Sequence, residues 1–238
     1  MKVLDMSYHP LDVRSGGWLD LSRKGNHGTP YGGARPYMIA PGVMGFKFDG
    51  SSGYVDCGDS ASFDFNVADE FTIAAWIRRN RVFVVEIIAG KYNEKGYTFG
   101  FTSTSHNKFS LYLRGDTYYY YRKSLTDITP ASGLIYLAGV YNNNDIKLYL
   151  NAVDNTGDAT GNMPTSFSTN AKLNIGRTES GFYFSNLIIQ PIIEDRAWSE
   201  AEVRENMYRS PIYCMLRGLP YSVYIKVPWK QQGGIYVP

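Results

Sequence analysis

The chain has 238 residues, which is enough for one large domain or two small ones. Its hydrophobic content of 44% and aromatic content of 15% allow a substantial buried core, and this composition excludes intrinsic disorder as the main state of the chain. The 24 basic and 22 acidic residues leave a formal net charge of +2, so the overall charge does not indicate nucleic acid or an anionic membrane as a partner.

The N-terminal region, residues 1–17, lacks the apolar stretch of about 7 to 15 residues that marks a secretory signal peptide. No later run approaches the ~18 apolar residues needed to cross a bilayer, so we expect neither a signal peptide nor membrane insertion. The three His and two Cys do not stand at metal-ligand spacing, which excludes a zinc finger. Cys57 and Cys214 are expected to be reduced thiols.

Four segments along the chain alternate between apolar and polar residues with a period of two, which predicts β-strands. They are residues 45–48, 71–77, 109–113 and 146–150. Turn sequences rich in Gly, Asn and Asp separate such segments at spacings of roughly 8 to 15 residues, a pattern typical of antiparallel sandwiches. The sequence shows no helical segments that could connect parallel strands, so we predict an all-β fold.

A run of four tyrosines followed by an arginine stands out in the middle of the chain. In a strand, Tyr118 and Tyr120 point to one side and Tyr119 and Tyr121 to the other, so at least one pair should lie on a sheet surface. Such a pair, with Arg122 beside it, could stack on a sugar ring, pack against a neighbouring strand, or contact another protein. The sequence leaves these three roles open.

One segment near the C-terminus predicts a short helix. Ser199 can cap the first turn while Glu202, three residues later, reaches back to the amide of Ser199, the arrangement known as a capping box. The helix should end before Pro211, because a residue that precedes proline is driven out of helical geometry.

The composition changes after this helix. From residue 206 to residue 238 there is no Asp or Glu, while four basic residues stand among Tyr, Trp, Leu, Val and Ile. We therefore divide the chain into a domain of residues 1–210 and an extended, apolar and basic arm of residues 211–238. Residues 221–227 alternate well enough to form a strand, which could pair with the chain's own sheet or with the edge of another protein. The aromatic residues expected to dock the arm on a partner are Tyr213, Tyr221, Tyr224, Trp229 and Tyr236.

Seven segments of the chain, taken in order, resemble the motifs of laminin G-like domains. These segments are residues 19–29, 46–50 with 54–55, 71–77, 138–141, 147–151, 173–176 and 196–202. On these motifs the chain looks like a member of the concanavalin A-like lectin/glucanase superfamily over residues 19 to about 208. The resemblance implies a jelly roll, a sandwich of two curved antiparallel sheets, here with one short C-terminal helix and an extended tail.

Most residues of these motifs fit structural roles. Asp49-Gly50 offers a turn at the end of an alternating strand, and Trp76 is large enough to fill the space between two sheets. Gly139 and Gly176 allow a crossing strand to approach closely. The residues expected in the sandwich core are Phe46, Phe48, Phe71 and Trp76.

Two departures from the family pattern affect the local structure. The family's Asn-Gly turn is Asn151-Ala152 here, and because Ala resists the positive φ of a type I′ turn, we expect a longer or different loop. The family's final strand carries an Asp-Glu pair where this chain has Ile189-Gln190 followed by Pro191. That acidic ligand is therefore absent, and Pro191 predicts an edge strand or a bulge.

The superfamily contains glycoside hydrolases, whose retaining members need two carboxyl groups about 5 to 5.5 Å apart. This sequence has neither the Glu-x-Asp-x-x-Glu signature of the hydrolases of this fold nor a Gly-x-Ser-x-Gly elbow. We therefore predict that the protein is not an enzyme. The acidic residues that stand in turn-like segments, and are expected to be solvated there, are Asp64, Asp69, Glu70, Asp154 and Asp158.

No cofactor is required on this interpretation, although many laminin G-like domains carry a calcium ion. Asp20, Asp49, Asp56 and Asp59 lie in loops that could converge on such an ion. The alternative is that these carboxylates form Asx-turns with their own backbone. Calcium takes about six to eight oxygen ligands, and the late acidic pair of the family is missing here.

Two functions stay open at this point. With its arm, the chain resembles accessory or fibre-like surface proteins of phages and other viruses, so we predict a recognition or structural module that attaches to other protein subunits of a virion or of a homo-oligomer. Its location would then be the particle surface, and otherwise the cytoplasm at synthesis. The alternative is a freestanding carbohydrate-binding lectin that uses the tyrosine run.

Overall fold

A computed structural model describes residues 1–6, 17–40, 43–104 and 107–218 of the chain. In these ranges the strands form two sheets of eight strands each, and neighbouring strands are antiparallel. The sheets pack face to face as a sandwich, and two short helices follow the last strand. The predicted all-β class, an antiparallel two-sheet jelly-roll sandwich, is confirmed.

In chain order the strands are β1 (Lys2–Asp5), β2 (Thr29–Tyr31), β3 (Arg35–Ala40), β4 (Val43–Asp49), β5 (Tyr54–Asp56), β6 (Glu70–Arg79), β7 (Glu86–Asn93), β8 (Lys95–Phe101), β9 (Ser110–Arg114), β10 (Tyr119–Ser124), β11 (Leu134–Asn142), β12 (Asp145–Leu150), β13 (Val153–Asp154), β14 (Thr156–Gly161), β15 (Leu173–Ile175) and β16 (Ser185–Glu194). The first sheet has the order β13-β12-β11-β6-β16-β4-β3, and β1 also pairs with β16. The second sheet has the order β14-β10-β9-β8-β7-β15-β5-β2.

The main core lies between the two sheets and is built by alternation along the strands. Phe71 and Ile77 of β6 face inward, as do Phe46 and Phe48 of β4, and all four are almost fully buried. Burial of such side chains is the main favourable contribution to folding. The predicted core positions of the three phenylalanines are confirmed.

Two glycines let the sheets and loops approach this core closely, as predicted. A Cβ atom at Gly139 of β11 would lie 3.0 Å from the ring of Phe99, which belongs to the other sheet. A Cβ atom at Gly176, just after β15, would lie 2.5 Å from the ring of Phe48. Neither site has room for a larger residue without movement of a buried ring.

Trp76 does not lie between the sheets, contrary to the prediction. It points to the outer face of the first sheet, where its ring lies 5.4 Å from the ring of Tyr136 in a second core cluster. Trp198 and the two C-terminal helices complete this cluster. The alternation in β6 holds, but both faces of the strand are buried, so a large apolar residue on either face finds a core.

Helix α1 (Glu200–Tyr208) begins with the predicted capping box. The Ser199 hydroxyl accepts from the amide of Glu202 at 3.3 Å, and the Glu202 carboxylate accepts from the amide of Ser199 at 2.8 Å. The helix ends before Pro211, which is also as predicted. Among the residues that the structure describes, no helix is both long and apolar enough to span a membrane.

The structure differs from the expected boundary at residue 211. Instead of an extended arm, residues Pro211–Leu216 form helix α2, capped by Ser210, and the Ser210 hydroxyl also donates to Gln190 at 2.6 Å. Ile212 of α2 is buried in the second core cluster, and Cys214 of the same helix is also buried. A proline at the first position of a helix favours this outcome, because its fixed φ suits the helix and its missing N–H is not needed there. The packed domain therefore includes α2.

The turn between β12 and β13 also differs from the prediction. Asn151 and Ala152 have φ of 49° and 60°, and they join the strands as a two-residue hairpin in which Leu150 pairs with Val153. The prediction of a longer or different loop is therefore wrong, because Ala152 adopts the positive φ of the two-residue turn. Ala152 is buried in the second core cluster, and Asn151 exchanges hydrogen bonds with the backbone of Tyr136, so packing offsets the strain of positive φ.

Pro191 lies in a bulge, which is one of the two alternatives that the sequence predicts. The pairing of β16 with β6 shifts between Ile189 and Ile192, and Gln190 has φ of 50°. Strand β16 itself is central in its sheet, between β6 and β4. The bulge explains how a central strand tolerates a residue without an N–H donor.

Candidate functional site

The outer face of the second sheet carries an exposed pair of tyrosines. Helices α1 and α2 cover the outer face of the first sheet, whereas Tyr119 of β10 is 42% exposed and Tyr121 is half-buried. The rings of this pair stack at a centroid distance of 6.3 Å and an interplanar angle of 24°. Tyr118 stands just before the strand and is also exposed.

Two more tyrosines extend the pair across neighbouring strands. Tyr112 of β9 lies opposite Tyr121 in the ladder, with ring centroids 5.7 Å apart, and its ring is 6.0 Å from that of Tyr119. The ring of Tyr92, from β7, follows at 6.3 Å from Tyr112. We call Tyr92, Tyr112, Tyr119 and Tyr121 the tyrosine face.

Tyr120 and Arg122 point to the opposite side of β10 and do not belong to the tyrosine face. The Tyr120 ring packs against the main core, and its hydroxyl donates to Asp145 at 3.1 Å. The Arg122 Nε donates to the same carboxylate at 2.8 Å. Burial acts to raise the pKa of Asp145, but the hydrogen bonds, that from Arg122 first, outweigh it and hold this pKa below its ordinary value. The ionised carboxylate of Asp145 on β12 therefore binds Tyr120 and Arg122 of β10 at neutral pH, which joins the two strands across the sandwich.

An open cleft of about 650 Å³ adjoins the tyrosine face at Tyr92. Its lining includes the exposed ring of Phe182, whose φ of 63° is a conformation that bulky residues rarely adopt. Arg114 lines the same cleft and lies opposite Tyr119 in the ladder. A hydrogen bond with the Tyr112 side chain is the main cause that raises the pKa of Arg114, so its guanidinium is charged.

This arrangement places flat aromatic faces beside charged and polar groups. Aromatic faces suit the C–H bonds of a sugar ring, and hydroxyl, carboxylate and guanidinium groups suit its hydroxyl groups. The cleft volume lies within the range of roughly 300 to 1,000 Å³ that is usual for small-ligand sites. The geometry therefore suits the binding of a saccharide.

Three of the five acidic residues in turn-like segments take part in structural contacts. Asp64 lies 3.1 Å from the buried amine of Lys91. Asp69 accepts a backbone N–H from the loop that precedes it at 2.8 Å, and Asp154 accepts one from the residue two positions on at 2.9 Å. None of these contacts is specific to catalysis.

The four aspartates considered as calcium ligands also bind local donors. Asp20 and Asp49 each accept three backbone N–H bonds, while Asp56 pairs with Lys172 at 2.9 Å and Asp59 pairs with a buried lysine amine. Within the described ranges, no group of three or more His, Cys, Asp or Glu side chains could hold a metal ion. Calcium at these residues stays a prediction, which melting curves with and without EDTA would test.

Only one of the aromatic residues assigned to the arm lies in the described part of the chain. Tyr213 is half-buried in α2, where its ring lies 4.8 Å from that of Tyr208 and packs against the second core cluster. This position is a packing role within the domain. The other residues, which lie outside the described ranges, are Tyr221, Tyr224, Trp229 and Tyr236.

Sequence reasoning missed several members of the site, namely Tyr92, Tyr112, Arg114 and Phe182. A signal for Tyr112 was present, because it stands between two leucines in a predicted strand, and alternation puts it on the face opposite to theirs. Tyr92 and Phe182 had no such signal. The register of β7 with β8 brings Tyr92 to the tyrosine face, and the conformation of its loop brings Phe182 to the cleft.

Solved structures with this fold include toxin binding domains and a domain of a glycosidase. The binding domain of Paraclostridial Mosquitocidal Protein 1 superposes with a TM-score of 0.66 at 13% identity, over 87% of this chain and 51% of that chain. Domain 4 of AbnA, a GH43 extracellular arabinanase from Geobacillus stearothermophilus in complex with arabinotriose, gives 0.63 at 15% identity, over 86% of this chain and 98% of that domain.

A third structure concerns the cell entry of botulinum neurotoxin type C, which depends on interaction with two ganglioside molecules. It superposes with a TM-score of 0.62 at 14% identity, over 87% of this chain and 50% of that chain. The chain thus spans about half the length of the toxin structures that it matches. At these identities the likeness shows a shared fold.

Two sequence comparisons were informative to different degrees, and one of them shows the family of the chain. A search of curated protein sequences gives no significant match. A family model of the laminin G type, described as Concanavalin A-like lectin/glucanases superfamily, matches residues 49–204, which is well over half of the chain. Its range includes most of the motifs that resemble laminin G-like domains, and the two antiparallel sheets have the expected architecture. The chain therefore belongs to the concanavalin A-like lectin/glucanases superfamily, as a laminin G-like domain.

Proposed function

We propose that the protein is a non-catalytic, lectin-like module that binds a glycan through its tyrosine face. The observation that carries this proposal is the row of four tyrosine rings in mutual contact on the outer side of the second sheet. Exposed aromatic surface that other parts of the domain do not cover is typical of a binding site. The cleft beside Tyr92 supplies the polar groups that would orient a bound sugar.

Two structural neighbours support a glycan as the ligand class. The arabinanase domain is in complex with arabinotriose, and this chain matches 98% of that domain. The neurotoxin type C structure concerns gangliosides, but the match covers only 50% of that chain and so gives less support. The choice of the tyrosine face as the contact surface rests on the geometry of this chain.

A glycan array probed with the whole protein tests the proposal. The double variant Tyr119→Ala, Tyr121→Ala should bind any neutral glycan that the array identifies at least about fivefold more weakly, because each ring that stacks on a sugar contributes roughly 0.5 to 1.5 kcal/mol. Tyr37→Ala is the matched control, since Tyr37 is also 42% exposed but lies on β3 of the other sheet. No bound glycan, or equal loss in the control, would contradict the proposal.

We further propose that residues 219–238 attach the module to other protein subunits, as in a virion or a homo-oligomer. The support is compositional, because an acid-free segment rich in Tyr, Val and Ile can bury apolar surface against a partner. Size-exclusion chromatography with light scattering should show an oligomer for the whole chain and a monomer for residues 1–218. An unchanged assembly state would refute attachment through this segment, and a gene located among capsid or tail genes would support the viral setting.

A further inference from the structure

Arg177 lies against aromatic rings at the far end of the second sheet. The centre of its guanidinium is 3.3 Å from the ring centroid of Tyr54 and 5.8 Å from that of Tyr183. Tyr31 of β2, which is 46% exposed, stacks on Tyr54 of β5 at 5.0 Å and 15°. Strand β15 separates β5 and β2 from β7, which carries Tyr92, and β8 separates β7 from β9 and β10, so this group shares no residue or strand with the tyrosine face.

The charge of Arg177 lacks a carboxylate partner among the residues that the structure describes. One hydrogen bond is present, from Nη1 to the hydroxyl of Tyr183 at 3.2 Å. The Nε atom is buried and has no hydrogen-bond partner in those ranges. The acidic groups on the same side of the molecule bind other donors, since Asp56 pairs with Lys172 and Glu179 accepts from the amide of Lys172.

A guanidinium without a carboxylate partner, such as that of Arg177, is suited to bind an anion. Arginine carries five N–H donors in a planar fork that matches the two oxygens of a carboxylate or sulfate group, and here the Tyr54 ring and the hydrogen bond to Tyr183 already hold the guanidinium in place. Less side-chain freedom is lost on binding when the donor is held in advance. Leaving the buried Nε of Arg177 unpaired is costly, and an acceptor at this site would relieve that cost.

We propose that Arg177 binds the carboxylate or sulfate group of an acidic saccharide, with Tyr31 in contact with a neighbouring sugar ring. The exposed ring of Tyr31 is what selects a saccharide over a free anion, because it stacks on Tyr54, the ring that contacts the cation, and so offers a flat apolar face near the charge. The inference rests on the proposed function in taking a saccharide as ligand, but it uses other residues and another part of the sheet.

Ligand-observed NMR titrations of the whole protein with 3′-sialyllactose, sulfated lactose and lactose test the proposal. At least one of the two acidic sugars should bind about tenfold or more tightly than lactose, and its affinity should fall as salt is added. Arg177→Lys, which keeps the charge but loses the planar fork, should weaken that binding about tenfold. Arg78→Gln, at an exposed arginine on the other sheet, is the matched control and should bind like the original protein.

The outcomes separate this proposal from the one on the tyrosine face. Tyr119→Ala should leave the affinity for the acidic sugar unchanged. If the protein binds an acidic sugar but no neutral glycan, that result would contradict the proposed role of the tyrosine face and leave the proposal for Arg177 standing. If Arg177→Lys lowers the melting temperature strongly, Tyr31→Ala, at an exposed ring on β2, carries the test instead. Equal affinity for lactose and both acidic sugars, or equal loss in Arg78→Gln, would overturn the assignment of Arg177.

Discussion

Glu86 is a fully buried carboxylate that three donors hold in place. One oxygen accepts from the Nε of Arg79 at 2.7 Å, and the other accepts from the Nε of Arg81 at 3.0 Å and from the amide of Ser185 at 2.9 Å. Arg79 is itself buried and lies 3.9 Å from the ring centroid of Phe101. These contacts fix the start of β7 to the ends of β6 and β16.

Removing the charge of Glu86 should therefore destabilise the fold strongly. We expect Glu86→Gln to lower the free energy of unfolding by about 3 kcal/mol or more, because it leaves the buried guanidinium of Arg79 uncompensated. Glu205→Gln, which breaks an exposed pair with Arg209, should cost less than about 1 kcal/mol. Urea denaturation of both variants measures the difference, and equal losses would show that burial of the first pair is unimportant.

A comparison of two glycines with left-handed backbone distinguishes the cost of backbone strain from the cost of steric overlap with a neighbour. Gly176 and Gly58 have φ of 89° and 76°, but only at Gly176 would an added methyl group meet the ring of Phe48, whereas nothing lies within 4 Å at Gly58. Gly58→Ala should cost about 1 kcal/mol from the backbone alone. Gly176→Ala should cost about 3 kcal/mol, since overpacking adds to that strain. Similar unfolding free energies for the two variants would contradict this account.

At the scale of elements, the turn after β4 depends on the ionised carboxylate of Asp49. Its Oδ1 accepts from the amides of Ser51, Ser52 and Gly53 at 3.0, 2.9 and 2.8 Å. Burial acts to raise the pKa of Asp49, but the hydrogen bonds, that from the Ser52 side chain first, outweigh it and hold the pKa well below its ordinary value. The folded state therefore favours the ionised form.

This pKa shift predicts a pH dependence with a definite sign. An unfolded aspartate titrates at about pH 3.9, so the stabilisation from Asp49 is fully present above this pH and is lost as the pH falls toward the lower pKa of the folded state. Asp49→Asn should melt at a lower temperature than the original protein at pH 7, and the gap should narrow below about pH 4. A gap that is constant or widens in acid would contradict the assignment.

Elements with local signals were predictable from the sequence, and those that depend on distant packing were not. Alternation located β6 and β12, and the capping box located α1, because both patterns reside in a few consecutive residues. The turn at Ala152 was mispredicted because its strain is offset by burial in the second core cluster, which no local pattern shows. Helix α2 was missed because an apolar, acid-free segment also suits an extended arm.

At the scale of the whole molecule, the same contrast between local signals and distant packing explains which residues of the candidate sites were predictable. Period-two alternation predicted that a tyrosine pair would reach a sheet surface, and Tyr119 and Tyr121 lie on one. Tyr92 reaches the tyrosine face through the registers of β7 with β8 and of β8 with β9, and the Arg177 group depends on the pairing of β15 with β5, which are distant in sequence. A single sequence carries no direct signal for such register, since strand order is set by how the two sheets close the core.

The C-terminal limit of the domain follows from the packing of α2 on the first sheet. Ile212 is fully buried in the second core cluster, and a buried isoleucine contributes roughly 1.5 to 3 kcal/mol. Because 1 kcal/mol shifts the melting temperature of a domain of this size by about 2 to 4 °C, residues 1–210 should melt at least about 3 °C below residues 1–218. Ile212→Ala in the whole chain should reproduce much of this loss by leaving a cavity under the helix. Equal melting temperatures for the two truncated chains would place the end of the folded domain before Pro211 and return α2 to the arm.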